Sequence, residues 1–136
     1  MQEAVPVGTG AMAAVLGLPS DQVNAICQEA QDSFGAGSPE VVQAANFNDP
    51  GQTVISGSKA GVDKACEMLK AAGAKRTLPL PVSAPFHCAL MKPAAELLRQ
   101  ALADIAWQAP TIPLINNIDV ASPSSADDIR DALYRQ

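Results

Sequence analysis

The chain has 136 residues, of which 48% are apolar, and a formal net charge of −5. This length suits one compact domain, and this apolar fraction disfavours intrinsic disorder. The sequence contains no uncharged apolar run of about 18 residues and no dense basic run, so neither a membrane span nor nucleic-acid binding is expected. Because 25 alanines stand against five aromatic residues, we expect a core of closely packed helices and small strands.

The three cysteines and the single histidine limit the metal and redox chemistry that the chain can perform. The cysteines are widely spaced, at Cys27, Cys66 and Cys88, and no two of them form a C-x-x-C motif. The histidine, His87, cannot complete a zinc site of the usual spacing with them. We therefore expect reduced thiols, no metal site and no cofactor. The first residues lack the basic and apolar segments of a signal peptide, and the expected location is the cytoplasm.

The chain opens with a predicted strand and helix. Residues 11–18 are apolar and bounded by glycine and proline, which predicts a buried strand. Ser20 is the predicted N-cap of the helix that follows, and this helix ends before Gly35. One apolar stripe at helical spacing is expected to face the core: Val23, Ile26, Cys27 and Ala30.

A hairpin and a second helix are predicted next. Residues 41–47 and 52–57 flank Asn48-Asp49-Pro50-Gly51, in which proline presets φ and glycine accepts a positive φ. Ser58 is the predicted N-cap of a helix that stops at Gly73. Its expected inward face consists of Val62, Ala65, Cys66, Leu69 and Ala72.

Residues 75–80 are predicted as an edge strand, because Pro79 cannot donate to a ladder. The order over residues 11–80 is therefore β-α-β-β-α-β, the ferredoxin-like arrangement. It places two helices on one face of a four-stranded antiparallel sheet, and the expected fold class is α+β.

The remaining residues, 81–136, lie outside that unit. They predict a proline-punctuated loop, a helix over 93–106, a strand over 112–118 and a last helix that begins at Ser124 or Ser125. The expected inward side chains are Ala94, Leu97, Leu98, Ala101 and Ile105 in the first helix, and Ile129, Ala132 and Leu133 in the last.

His87 is the one side chain whose usual pKa allows proton exchange near neutral pH. Its loop, Val82 to Met91, is too apolar for an ordinary surface loop. Spacing alone leaves two interpretations open: a catalytic base, or a packed or capping side chain. Cys88 is a weaker candidate nucleophile, because adjacent residues rarely point the same way on an extended loop.

Three segments of the sequence are recognisable together. They are Val82-Ser83-Ala84-Pro85-Phe86-His87-Cys88-Ala89-Leu90-Met91, the hairpin from Ala45 to Gly57 and the opening strand from Val7 to Leu18. In order and spacing they resemble the malonyl-CoA:acyl-carrier-protein transacylases of fatty-acid synthesis, and the first is similar to the family's histidine segment.

The resemblance implies a fold and an activity. Residues 7–80 would be the family's ferredoxin-like subdomain, and 81–136 part of its α/β-hydrolase-like body, with the histidine loop, a helix, a strand and a helix. The family transfers malonyl from malonyl-CoA through a serine to the acyl carrier protein. His87 would be the catalytic base, and Asn48 would line the substrate cleft, unless it is simply the first residue of the turn.

The sequence also departs from the family pattern. None of its nine serines has glycine at both −2 and +2, so the nucleophile elbow is absent, and the family's malonyl-pairing arginine would lie N-terminal to this region. We expect a fragment that is inactive alone and could self-associate through exposed surfaces. Two alternatives are a stand-alone ferredoxin-like binding module and a chain whose partner supplies the serine.

Overall fold

The computed structural model of the chain describes residue 1 and residues 3–136. The chain divides into two compact units, Met1–Lys92 (unit 1) and Pro93–Gln136 (unit 2). Each unit is described by itself.

Unit 1 contains one four-stranded antiparallel sheet in the order β2-β3-β1-β4. The strands are β1 (Gly10–Leu16), β2 (Val42–Asp49), β3 (Gln52–Ser58) and β4 (Arg76–Pro79). The central strand β1 pairs with β3 from Gly10↔Ser58 to Leu16↔Gln52, and with β4 on its other side. The antiparallel sheet, and the edge position of the strand that contains Pro79, are confirmed.

Two helices cover one face of this sheet: α1 (Ser20–Asp32) and α2 (Lys59–Ala71). A cluster of twelve buried residues joins them to the strands, with Val15 and Ile55 from the sheet and Val23 and Leu69 from the helices. The predicted stripe on α1 is buried as expected.

The helix boundaries follow local chemistry, with two corrections. The N-cap of α1 is Pro19, and Ser20 is its first helical residue, so the prediction of Ser20 as the cap is wrong. Its hydroxyl instead accepts a 3.0 Å hydrogen bond from Thr53 Oγ1 of β3. Ser58 is confirmed as the α2 cap, because its Oγ accepts from the Gly61 N–H at 3.2 Å. Ala72 lies beyond the helix and is exposed, so its predicted inward position is wrong.

The hairpin turn is one residue later than predicted. Asp49 and Gln52 are the last paired residues, and Asp49 Oδ1 accepts a 3.0 Å hydrogen bond from the Gly51 N–H. Gly51 does not take a positive φ, because the side chain of Asp49 closes the turn with ordinary backbone angles. Asn48 is therefore not the first turn residue; it lies in β2 at a register shift between Phe47 and Asp49.

Unit 2 contains most of α3 (Lys92–Ala103) and all of α4 (Ala126–Arg135). Both predicted helices are present, and Ser125 caps α4 by accepting from the Asp128 N–H at 3.0 Å. The predicted end of the first helix at residue 106 is wrong, because α3 ends at Ala103. The prediction of a strand over 112–118 is wrong. Pro113 has no N–H to donate, and no described strand lies alongside to pair with this segment.

The apolar stripes of these two helices are not buried as predicted. Among residues 93–136, Leu102 and Ala132 are the only apolar side chains that reach the buried class. The other predicted inward residues are half-buried or exposed, namely Ala94, Leu97, Leu98 and Ala101 of α3, Ile105 just beyond it, and Ile129 and Leu133 of α4. Helical spacing creates an apolar face, but burial also requires an element to cover it.

None of the helices in the described part of the chain is long and apolar enough to cross a membrane.

Candidate functional site

The segment that contains His87 lies in unit 1, on the sheet face opposite α1 and α2. Alternate residues of the strands point to this face, where Met12, Ala14 and Val54 form a small buried cluster. Phe86, at the centre of the segment, and Leu80, two residues before its start, pack against that cluster. The loop is apolar because it covers a sheet face.

Pro85 anchors the loop to Gly10, the first residue of β1. Its side chain is fully buried, and it fills the space beside Gly10, where an added Cβ would lie only 2.4 Å from Pro85 Cδ. Any larger residue at position 10 would displace the proline. Ala84, next to it, is also buried. Gly10 is thus required by the close approach of the loop.

His87 itself is exposed, and its backbone is in the left-handed region, with φ +58°. This conformation costs a non-glycine residue about 1–2 kcal/mol, so it persists only where the surroundings impose it. Val120 is the other described non-glycine residue with a positive φ. The imidazole therefore stands at a sharp, enforced turn at the surface of unit 1.

The chain after His87 is held by three hydrogen bonds. The Cys88 thiol donates to the Pro85 carbonyl at 3.2 Å, and the Met91 N–H donates to the Cys88 carbonyl at 2.9 Å. The Ala89 N–H, at the start of a 3₁₀ turn over Ala89–Met91, donates to Gln43 Oε1 of β2 at 2.7 Å. The bond of Cys88 to Pro85 closes the loop on itself, which favours a structural role for this thiol over a nucleophilic one.

The structure does not bring Asn48 close to Gln43, the residue of β2 that contacts the His87 loop. Asn48 is exposed near the hairpin turn, five residues along β2 from Gln43, or about 16 Å at the usual rise of a strand. Its position at a β-bulge is one that often re-aims a side chain near functional sites.

The other two thiols belong to the helical layer. Burial raises the pKa of Cys27 to about 12, with a smaller contribution from the charge of Cys66. Burial also raises the pKa of Cys66, against the opposing effects of a hydrogen bond with Thr77 and the charge of Lys70. Such thiols are protonated at neutral pH and poor nucleophiles. The described residues include no group of three or more His, Cys, Asp or Glu that could hold a metal ion.

Two residues of this site, Gly10 and Gln43, are not among the predicted site residues. The sequence pattern marks Gly10 only as a strand boundary and Gln43 only as part of a hairpin strand. Gln43 carries a weak signal: it follows the buried Val42 in the strand, so its side chain points to the sheet face opposite the helices, where it is exposed.

Comparisons with known proteins agree with the resemblance in the sequence. The acyl transferase domain family model matches residues 1–134. The malonyl CoA-acyl carrier protein transacylase of Escherichia coli K12 is 55% identical over all 136 residues, and that of Bacillus subtilis is 42% identical. The chain spans only 42% and 41% of the lengths of these two relatives.

Solved structures give the same match. The acyl-carrier-protein S-malonyltransferase from Burkholderia pseudomallei is 56% identical with a TM-score of 0.90, over 99% of this chain and 42% of that one. A second structure is a malonyl-transacylase in complex with a type II polyketide synthase acyl-carrier protein. It is 48% identical with a TM-score of 0.91, over 98% of this chain and 41% of that one.

Proposed function

Because the chain belongs to the acyl transferase domain family and matches malonyl-CoA:acyl-carrier-protein transacylases along its whole length, we propose that it carries the histidine of such an enzyme. The complete protein would transfer malonyl from malonyl-CoA to an acyl carrier protein. The observation that carries the proposal is His87, held at an enforced left-handed turn by anchors on both sides.

In this function His87 acts as a general base and then as a general acid. It takes the proton of a serine hydroxyl while the serine oxygen attacks the thioester carbonyl of malonyl-CoA, and it returns the proton to the departing coenzyme A thiolate. In the second half it takes the proton of the carrier protein's thiol, which attacks the malonyl-serine ester, and the serine oxygen regains a proton. Each step needs an imidazole within hydrogen-bond reach of the reacting atom.

The serine and the malonyl-pairing arginine would come from the part of the protein that these residues do not include. None of the nine serines lies in a G-x-S-x-G elbow, which is why we propose that the chain alone forms no acyl-enzyme. Asn48 is proposed as a residue that contacts substrate, at the bulge of β2.

The proposal also assigns the parts of the fold. The element order of residues 7–80 and the sheet order β2-β3-β1-β4 agree with a ferredoxin-like subdomain. Residues 81–136 would then belong to the α/β-hydrolase-like body. The exposed apolar side chains of α3, Leu97 among them, support the further proposal that the isolated chain self-associates, which sedimentation at several concentrations tests.

Labelled malonyl-CoA tests the assignment of His87. The purified chain should show no covalent mass increase after incubation. When the chain is fused to the remaining segments of the Escherichia coli relative, transfer should appear, and His87→Ala should lower kcat by about 10²–10⁴-fold. Gln22→Ala, at an exposed position of α1, is the control for the fusion and should leave kcat unchanged.

Two results would contradict this function. A malonyl adduct on the isolated chain would reveal a nucleophile within it, with Cys88 the first position to examine. Full activity of the His87→Ala fusion would show that another group is the base.

A basic surface supports the proposed contact with the acyl carrier protein. Lys70 at the end of α2, Lys75 before β4 and Arg76 at its start are exposed on unit 1, although the net charge is −5. Lys59, in contrast, pairs with Asp63 at 2.8 Å and Lys64 is half-buried. Acyl carrier proteins are acidic, so these cations would attract one at low salt; a merely solvated helix face is the alternative.

Charge reversal distinguishes the two interpretations. Lys70→Glu with Arg76→Glu should weaken binding of the carrier protein to the fusion and reduce the salt dependence of the affinity. Lys92→Glu with Arg99→Glu, which reverses the same number of charges at two other exposed sites, is the control. An unchanged salt dependence would mean that the carrier protein binds another surface.

A further inference from the structure

We propose that Gln43 is a positioning residue for His87, which it holds through the backbone of Ala89. Gln43 Oε1 accepts a 2.7 Å hydrogen bond from the Ala89 N–H, two residues after the histidine. The inference rests on the proposed function for its catalytic consequence, but the geometry of the contact stands within unit 1 alone.

The strand pattern explains why Gln43 reaches this loop. Val42 belongs to the core cluster under the helices, so Gln43, the next residue in β2, points to the opposite face. In the ladder it is paired with Ser56, which in turn is paired with Met12 of β1. The side chain thus rises from the sheet face that the His87 loop covers.

This contact caps the 3₁₀ turn over Ala89–Met91, whose own N-cap residue, Cys88, makes no side-chain capping hydrogen bond. The first N–H groups of a helical turn have no partner within it, and they require an outside acceptor. Cys88 precedes the turn, and its side chain makes no capping hydrogen bond there; its thiol is directed to Pro85. Gln43 supplies the missing acceptor from a strand 46 residues away in sequence.

His87 therefore lies midway between two anchors. Pro85, two residues before it, is locked against Gly10, and Ala89, two residues after it, is locked against Gln43. A left-handed histidine relaxes toward ordinary backbone angles when its surroundings stop imposing the turn. Loss of the Gln43 contact frees one end of the turn and lets the imidazole move away from the place where it would meet the reacting atoms.

The test uses two substitutions of Gln43 that differ in whether the side chain carries an acceptor oxygen. Gln43→Met keeps the length of the side chain but has no acceptor, whereas Gln43→Glu keeps an acceptor oxygen. Gln22→Met, on the exposed face of α1, is the matched control. His87 is the only histidine, so its imidazole and Cα signals in the NMR spectrum of the 136-residue chain are unambiguous.

In Gln43→Met the Ala89 amide should exchange with solvent faster, by up to about tenfold, because it loses its hydrogen bond. The His87 Cα shift should move away from its left-handed value. Gln43→Glu should restore both signals, and Gln22→Met should change neither. The proposal is overturned by unchanged Ala89 exchange and His87 shifts in Gln43→Met, by equal changes in Gln22→Met, or by absence of rescue in Gln43→Glu.

The fused enzyme tests the catalytic consequence. Gln43→Met should lower kcat by up to about a hundredfold with little change in KM, because misplacement of a catalytic group affects the reacting geometry more than substrate binding. Normal kcat in a Gln43→Met fusion whose His87 signals have moved would overturn the positioning role. If His87→Ala also keeps full activity, the proposed function fails, and the NMR comparison still decides whether Gln43 holds the turn.

Discussion

The two units of the chain contain similar helices but differ in what covers them. In α2, the apolar stripe faces a sheet, and Leu69 is fully buried. In α3, a stripe of the same spacing leaves Leu97 66% exposed. The comparison teaches that amphipathic periodicity predicts a helix and its apolar face, whereas burial depends on a partner element that the periodicity does not specify.

This difference predicts very unequal effects of one substitution. Leu69→Ala should lower the free energy of unfolding by about 2–5 kcal/mol, because it removes buried methyl groups and leaves a cavity. Leu97→Ala is the matched control, the same change on an exposed helix face, and should stay within about 0.5 kcal/mol. Urea unfolding followed by circular dichroism measures both.

Equal destabilisation by the two substitutions would contradict the comparison. It would mean that Leu97 is covered in solution, as self-association of the chain would produce. Repeating the Leu97→Ala measurement at several protein concentrations separates these cases, because a contact between copies makes the effect depend on concentration.

The fold was predictable where local patterns sufficed. The β-α-β-β-α-β order follows from alternating periodicities, and the Ser58 cap and the edge position of Pro79 follow from the chemistry of single residues. The false strand at 112–118 has the composition of a strand but no described partner strand, and composition says nothing of partners.

The site was predictable only in part. His87 stands out as the only histidine, in an apolar loop, but the residues beside it, Pro85 and Ala89, contact Gly10 and Gln43, which lie 77 and 44 positions before His87 in the sequence. No local pattern reports contacts over such separations. The exact start of the hairpin turn was missed for a different reason, since the Asp49 side chain closes it without a positive φ at Gly51.

Burial of Cys27 in the core of unit 1 should make the free energy of unfolding depend on pH. The pKa of Cys27 is about 12 in the folded chain, above its usual value of 9.0, because burial disfavours the thiolate. A pKa raised by folding gives stability that is complete below about pH 9 and is lost as the pH rises toward 12. The free energy of unfolding should therefore fall across this range.

Cys27→Ala isolates this contribution. The variant starts less stable because it loses a buried sulfur, but its free energy of unfolding should fall less steeply between pH 9 and pH 11 than that of the parent chain. Urea unfolding at a series of pH values gives both slopes. Parallel slopes would show that Cys27 ionises without cost and is therefore not in a dry core.

The two faces of the sheet differ in whether a buried hydroxyl group has a hydrogen-bond partner. Thr53 and Ser56 of β3 are both fully buried, and they lie on opposite faces. Thr53 donates to Ser20, whereas Ser56 Oγ has no hydrogen-bond partner among the described residues. An unpaired buried hydroxyl costs folding free energy, and a paired one contributes about 1 kcal/mol.

Ser56→Ala should therefore leave the free energy of unfolding unchanged or raise it by about 1 kcal/mol, whereas Thr53→Val should lower it by about 1 kcal/mol. Thermal unfolding of the two variants beside the parent chain measures the contrast. Destabilisation by Ser56→Ala as large as that by Thr53→Val would indicate that Ser56 finds a partner, such as an ordered water, beneath the His87 loop.

The smallest effect concerns the contact that joins the helices of unit 2. The Tyr134 hydroxyl donates to Glu96 Oε1 at 2.6 Å, and this hydrogen bond raises the pKa of the tyrosine above its usual value of 10.0, with the charge of Glu96 acting in the same direction. Tyr134 is the only tyrosine, so its ionisation can be followed by absorbance without ambiguity.

Glu96→Gln should bring the pKa of Tyr134 down toward 10.0, because an amide neither repels the phenolate nor accepts from the hydroxyl as strongly as a carboxylate. Glu29→Gln, on the exposed face of α1 in unit 1, removes the same charge elsewhere and should leave the titration unchanged. If the parent chain already titrates at 10.0, the contact between α3 and α4 does not form in solution, and the contrast between a firmly packed unit 1 and a loosely covered unit 2 becomes sharper still.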